Sequence, residues 1–144
     1  MNNTVDVIEL EMAILVRRLV SMTTYKKIGN LDRSAYLLLY QIDSHGSAGV
    51  KALSDEFHLD ISTVSRQAAA LEQKGYVRRI PDPVDGRAYS LEMTEAGLEV
   101  LNENKKARQD SIGKMLSSWS EGERVIFGEL LRKFNTAILE EASE

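Results

Sequence analysis

Between Ser62 and Gln67 the chain carries Ser62, Thr63, Ser65, Arg66 and Gln67 around a single apolar residue, Val64. These side chains are of the kind that read nucleic acid. An arginine binds guanine through two parallel N–H groups, a glutamine binds adenine in a similar forked way, and hydroxyls serve bases or phosphates. Further along, Arg87 closes the run Asp82-Pro83-Val84-Asp85-Gly86-Arg87. An arginine held out on such a loop can enter a minor groove, where narrow A·T-rich steps deepen the negative potential. Asp85 is close enough in sequence to steer the Arg87 guanidinium. As a plain solvated turn the same pair would contribute little. Any amphipathic helix also has polar residues outside, so the surrounding elements decide between these readings.

Those elements form a sequence of helix, turn, helix and hairpin. Val50 to Phe57 reads as a short helix with Leu53 and Phe57 one turn apart, and His58-Leu59-Asp60 as the turn. Asp60 caps the next helix, Ile61 to Lys74, whose inward residues Val64, Ala68 and Leu71 recur at i, i+4 and i+7. Gly75 is placed to end it in a left-handed conformation. The period then shortens: Tyr76 to Ile80 and Ala88 to Met93 alternate as strands, joined by the Pro- and Asp-Gly-containing loop. A helix-turn-helix holds its second helix so that the N-terminal half reaches a major groove, and the hairpin supplies a wing.

The flanks are helical. Val5 to about Lys27 carries Ile8, Met12, Leu15, Leu19 and Met22 at spacings of three and four, with Gly29-Asn30 as the stop. Asp32 caps a helix from Arg33 to about Ser44 with Tyr36, Leu37, Tyr40 and Ile42 on its apolar positions; His45 to Gly49 are turn residues. Thr94 begins a long helix carrying Leu98, Leu101, Ile112, Met115 and Trp119, whose polar middle, Asn102 to Asp110, suggests a stretch crossing solvent. Ser120 and Glu123 make a capping box for a last helix with Ile126, Leu130, Phe134 and Ile138 on one side.

Composition narrows the function. The 144 residues carry a net charge of −4, against the strongly basic balance of many nucleic-acid binders. The distribution is more favourable: from Ile61 to Ser90, Arg66, Lys74, Arg78, Arg79 and Arg87 outnumber Glu72, Asp82 and Asp85. With no cysteine, disulfides, thiol catalysis and cysteine-based sensing are excluded. His45 and His58 are the only histidines and lack companions at metal-ligand spacing, so no metal and no cofactor are expected. No nucleophile–base pair or phosphate-binding glycine loop points to an enzyme. No apolar run is long enough to span a bilayer, and no leader is evident, so a cytoplasmic protein with no membrane partner is expected.

The run from Leu53 to Leu98 resembles the MarR family of bacterial transcriptional regulators. The resemblance rests on "TVSR" (Thr63 to Arg66), "LEQKGYVRR" (Leu71 to Arg79), "LEMTEAG" (Leu91 to Gly97) and above all the wing "DPVDGR" (Asp82 to Arg87). It implies a mostly α fold with a small β-hairpin wing, a winged helix-turn-helix embedded in a helical dimerisation domain. Residues 1–31 and 97–144 would supply the dimerisation helices and residues 32–96 the DNA-binding domain. It also implies an obligate homodimer on double-stranded DNA, with Ser62, Thr63, Ser65 and Arg66 near the major groove and Arg87 in the minor groove. Dimerisation would cover the apolar excess of the terminal helices, and a C2 dimer requires a pseudo-palindromic operator.

Lys51, Arg78 and Arg79 are either phosphate contacts or residues facing away from DNA. Relatives often bind small phenolic or amphipathic effectors between the dimer and DNA-binding regions. Tyr25, Tyr36, Tyr40 and Met115 either line such a pocket or belong to the core. The expected function is a homodimeric repressor relieved by such a ligand; the alternative is a protein-interaction module on the same fold that does not read DNA.

Overall fold

Helix starts in this chain are set by short polar residues. The Asp32 carboxylate accepts the Ala35 N–H at 2.8 Å, Asp60 accepts the Thr63 N–H at 2.7 Å, and the Thr94 hydroxyl accepts the Gly97 N–H at 3.0 Å. Ser120 and Glu123 form the reciprocal box, at 2.9 and 3.1 Å. Each satisfies amide groups that the first helical turn leaves unpaired.

The computed structural model describes residues 3–22, 27–28, 31–46 and 48–142. The chain divides into two compact units, Met1–Arg108 and Gln109–Glu144. In order, the elements are α1 (Asn3–Ser21), β1 (Lys27–Ile28), β2 (Leu31–Asp32), α2 (Arg33–His45), β3 (Ala48–Gly49), α3 (Val50–Phe57) and α4 (Ile61–Gln73). Then follow β4 (Val77–Pro81), β5 (Tyr89–Met93), α5 (Glu95–Met115) and α6 (Glu121–Ala142). β1 and β2 make a two-stranded antiparallel pair, and β3, β5 and β4, in that order, a three-stranded antiparallel sheet. The mostly helical winged fold expected from the sequence is the one observed.

One core serves the first unit. Leu38, Leu39 and Ile42 of α2, Leu53 of α3, and Val64, Ala68 and Leu71 of α4 are buried together with Val77, Leu91 and Leu101. These apolar groups clamp α4 between α2 and the sheet, which fixes the face it presents to solvent. The start of α5 is locked against the turn before β4. The Thr94 N–H donates to the Tyr76 carbonyl at 3.1 Å, and the Thr94 hydroxyl donates to the Gly75 carbonyl at 2.6 Å.

Several expectations need correction. α1 stops at Ser21, where the hydroxyl donates back to the Arg17 carbonyl at 2.6 Å, and Lys27–Ile28 is strand because it pairs with Leu31–Asp32. Tyr25 and the Gly29-Asn30 stop lie outside the described residues. Ala48–Gly49, read as turn, forms β3 by pairing with Leu91 and Ser90. Trp119 lies beyond the end of α5, in a turn closed by its own N–H to the Leu116 carbonyl at 2.9 Å, and its ring meets Phe127 at 5.2 Å. The polar middle of α5 does not cross open solvent. Asn104 is buried, while Lys105 lies 4.5 Å from the Tyr40 ring and the Arg108 guanidinium 4.3 Å from the Tyr36 ring. Long cationic side chains can pack along their stems while keeping a charged head on an aromatic face.

The terminal helices are different. No residue of α1 or of α6 is buried. Val5, Ile8 and Leu15 on α1 and Ile126, Leu130 and Phe134 on α6 all stand exposed. No helix of the described residues is long and apolar enough to cross a membrane.

Candidate nucleic-acid interface

The turn between α3 and α4 is made by His58, which takes the left-handed conformation (φ 54°, ψ 40°), and by the Leu59 N–H donating to the Ser54 carbonyl at 3.0 Å. Asp60 then accepts from the Thr63 N–H and, at 3.1 Å, from the Ser62 hydroxyl. Hydrogen bonds from Thr63 and Ser62, with help from the Arg66 charge, hold the Asp60 carboxyl below the usual carboxylate range.

These contacts sort the residues of α4. Ser62 and Arg66 are exposed, while Thr63 and Ser65 are half-buried. Gln67, expected outward, is half-buried and lines a small cleft with Ser34, Leu37, Phe57 and Leu59. Its position beside Ala68, three residues past Val64, puts it on the flank of the inner face.

The wing is built by two aspartates. The Asp82 carboxylate accepts the Val84 and Asp85 N–H groups at 2.8 and 3.1 Å, and Asp85 accepts the Arg87 N–H at 3.0 Å. The Asp82 N–H and Ala88 carbonyl close the loop at 3.1 Å. Asp85 thus shapes the backbone under Arg87 and forms no ion pair with its guanidinium among the described residues. The backbone bonds from Asp85 and Val84 hold the Asp82 carboxyl low. Asp82 as the loop organiser was missed, although its place two residues before an accepted amide is the Asx-turn signature.

Both lowered carboxyls stabilise the folded chain at neutral pH. Their contribution is complete above the ordinary carboxylate pKa of about 3.9 and is lost as pH falls through the lower folded value. Amide NMR shifts of Thr63, Val84 and Asp85 are therefore expected to move together with acidification below about pH 4. Asp82→Asn should remove the response at Val84 and Asp85 only. Wing amides that stay fixed in the unsubstituted protein down to the acid limit of folding would contradict the assignment.

The two devices meet at an open groove of about 670 Å³, lined by Lys51 of α3, Ile61 and Ser65 of α4, and Pro83, Arg87 and Tyr89 of the wing. Arg66 and Ser62 stand on the same N-terminal half of α4. Arg78 is exposed but paired with Glu92 directly across the sheet. Arg79 pairs with Glu72 of α4 at 3.0 Å and stacks on Tyr89 at 4.4 Å.

The aromatic candidates lie elsewhere. Tyr36 and Tyr40 meet edge to face with centroids 6.1 Å apart, each under a cation from α5. Burial pushes the Tyr36 hydroxyl pKa up, against the opposing charge of Arg108. Met115 is exposed, in the second unit. Among the described residues no group of three or more His, Cys, Asp or Glu side chains is placed to hold a metal ion. His45 pairs with Glu56 at 3.1 Å.

A family model described as "MarR family" matches residues 31–89. Over 139 residues the chain is 45% identical to an uncharacterized HTH-type transcriptional regulator, YxaD, of Bacillus subtilis, covering 96% of this chain and 97% of that one. Among solved structures it is similar to Streptococcus pneumoniae FabT in complex with DNA (TM-score 0.74, 19% identity, 96% and 99% of the two chains). It is also similar to the PcaV transcriptional regulator of Streptomyces coelicolor with its natural ligand (TM-score 0.70, 20% identity, 90% and 91%). The chain belongs to the MarR family of transcriptional regulators, DNA-binding winged-helix proteins that are not enzymes.

Proposed function

We propose that this protein is a cytoplasmic, homodimeric repressor of a pseudo-palindromic operator. Ser62, Thr63, Ser65 and Arg66 face the major groove, Arg87 enters the minor groove, and Lys51 meets phosphate between them. The observation that carries this reading is the shared groove: Ser65 of the recognition helix and Arg87 of the wing line one open cleft. A complex with DNA of the similar FabT fold supports it. Gln67 and Arg78 take secondary places, since one is half-buried and the other already has an acidic partner.

Dimerisation is carried by residues 1–31 and 97–144 around the DNA-binding residues 32–96. Two helices without a buried residue, both rich in exposed aliphatic groups, support this division. Leu130→Glu combined with Phe134→Glu is expected to convert a dimer to a monomer in sedimentation. A dimer retained in the double variant would rule out α6 as the interface.

The input is a small amphipathic or phenolic effector, bound at Tyr36 and Tyr40. The natural ligand bound to the similar PcaV supports a small-molecule input. Selection of duplexes from a random library tests the central claim. Recovery of half-sites about one DNA turn apart is expected, with binding that falls steeply as salt rises. Binding without sequence preference would favour a protein-interaction module instead.

A further inference from the structure

Two adjacent arginines on β4 have different partners, and the difference defines separate roles. Arg78 pairs with Glu92 directly opposite on β5, so its bond stays within the hairpin. Arg79 leaves the hairpin: its Nε donates to Glu72 Oε1 at 3.0 Å, on the last turn of α4. The same guanidinium lies 4.4 Å from the centre of the Tyr89 ring on β5. One planar side chain therefore touches the recognition helix and both strands of the wing.

Its position in the sheet gives this contact leverage. Tyr89 pairs with Pro81, the last rung before the loop that carries Arg87. Between α4 and β4 the chain passes through Gly75 at φ 82°, where nothing lies within 4 Å of an added Cβ. That turn is held by backbone bonds from the Gly75 N–H to the Glu72 carbonyl at 2.9 Å and from the Tyr76 N–H to the Leu71 carbonyl at 3.0 Å. The Arg79 bridge spans this corner from the outside. Its ion pair is part-exposed on both sides, so it contributes little to global stability. Its effect is on direction, because a planar guanidinium stacked on Tyr89 and bonded through Nε to Glu72 is held in one orientation.

We propose that Arg79 is a positioning residue for DNA recognition, one that sets the angle between the recognition helix and the wing so that both grooves are engaged at once. It acts through Glu72 and Tyr89 and does not contact phosphate. This rests on the reading that α4 lies in the major groove and Arg87 in the minor groove.

Glu72 provides the sharpest test, because two accounts predict opposite signs. If only charge mattered, Glu72→Ala would remove a negative group near DNA and tighten binding. If Glu72 anchors Arg79, the same substitution weakens binding to a duplex selected by the unsubstituted protein, on the order of tenfold, without affecting scrambled DNA. Arg79→Lys keeps the charge but loses the planar stack and the Nε bond, so it should match Arg79→Gln. Neither should change the slope of log affinity against log salt, whereas loss of a phosphate contact lowers it by about 0.9 per contact. In a cycle with Arg87→Ala the losses should be less than additive, since a misdirected wing has already lost its contact. Thermal melting checks that each variant is folded.

Tighter binding by Glu72→Ala, rescue by Arg79→Lys, a shallower salt slope, or full additivity with Arg87→Ala would each overturn the proposal. If Arg87→Ala alone leaves binding to the selected duplex unchanged, the groove assignment itself fails, whatever Arg79 does.

Discussion

Arg87→Ala is expected to weaken operator binding by roughly 100-fold while leaving the melting temperature unchanged. A good specific contact to DNA is worth about 1–3 kcal/mol, and the proposed symmetric dimer would make it twice. Among the described residues the guanidinium makes no hydrogen bond or ion pair that supports the fold. Arg87 is exposed, and the Asp85 carboxylate holds its backbone N–H, which alanine retains. Two lost charges should also lower the salt slope by about 2. Arg87→Lys should recover the slope but only part of the discrimination, because a point charge lacks the planar fork. Gel-shift titrations at several salt concentrations measure both quantities. Operator affinity within about threefold of the unsubstituted protein would remove the wing from the recognition scheme, given the size of a specific contact.

The largest effect on stability is expected at Gly97. Helix propensity alone says Gly97→Ala should stabilise by about 1 kcal/mol. Packing reverses the sign. A Cβ at this position would stand 2.0 Å from the Tyr76 carbonyl oxygen and 2.8 Å from the Met93 sulfur. The carbonyl is not free to retreat, because it accepts the Thr94 N–H, and the Thr94 hydroxyl joins Gly75 to the Gly97 N–H. The first turn of α5 must back away from β4, loosening the buried Tyr76, Val77 and Leu101. We expect a loss of about 2–4 kcal/mol, read as a lower midpoint in denaturant. Gly113→Ala is the control, since its added Cβ meets nothing within 4 Å. A Gly97→Ala protein as stable as the parent would mean that α5 can shift without disturbing the core.

The sequence was informative wherever one local rule acted without competition. The spacing of Val64, Ala68 and Leu71 was sufficient for the inner face of α4, because no other apolar residue between Ser62 and Gln73 offers an alternative except alanines. Helix starts were legible from Asp32, Asp60, Thr94 and Ser120, since capping needs only a short acceptor and its own amides. The wing was legible from proline and Asp-Gly. In α2 the run from Tyr36 to Tyr40 is apolar throughout, so periodicity could not choose a face, and Leu38 and Leu39 are buried where Leu37 and Tyr40 are exposed. The packing of Lys105 and Arg108 on tyrosines was hidden because a polarity pattern sees the head group and not the stem. Two-residue β3 has no period at all. The bridge from Arg79 to Glu72 depends on the angle at Gly75, which no pairwise spacing encodes.

If the proposed dimer forms, the absence of any buried residue in α1 and α6 ties this regulator's structure to its abundance. In the proposed dimer these helices would be held mainly by a second copy and would obey mass action, so dilution would remove their support as surely as heat does. At few copies per cell, making more of the protein would raise both the number of chains and the fraction that is assembled. Operator occupancy would then rise more steeply than expression, and a modest change in synthesis or turnover would act as a switch before any effector is bound.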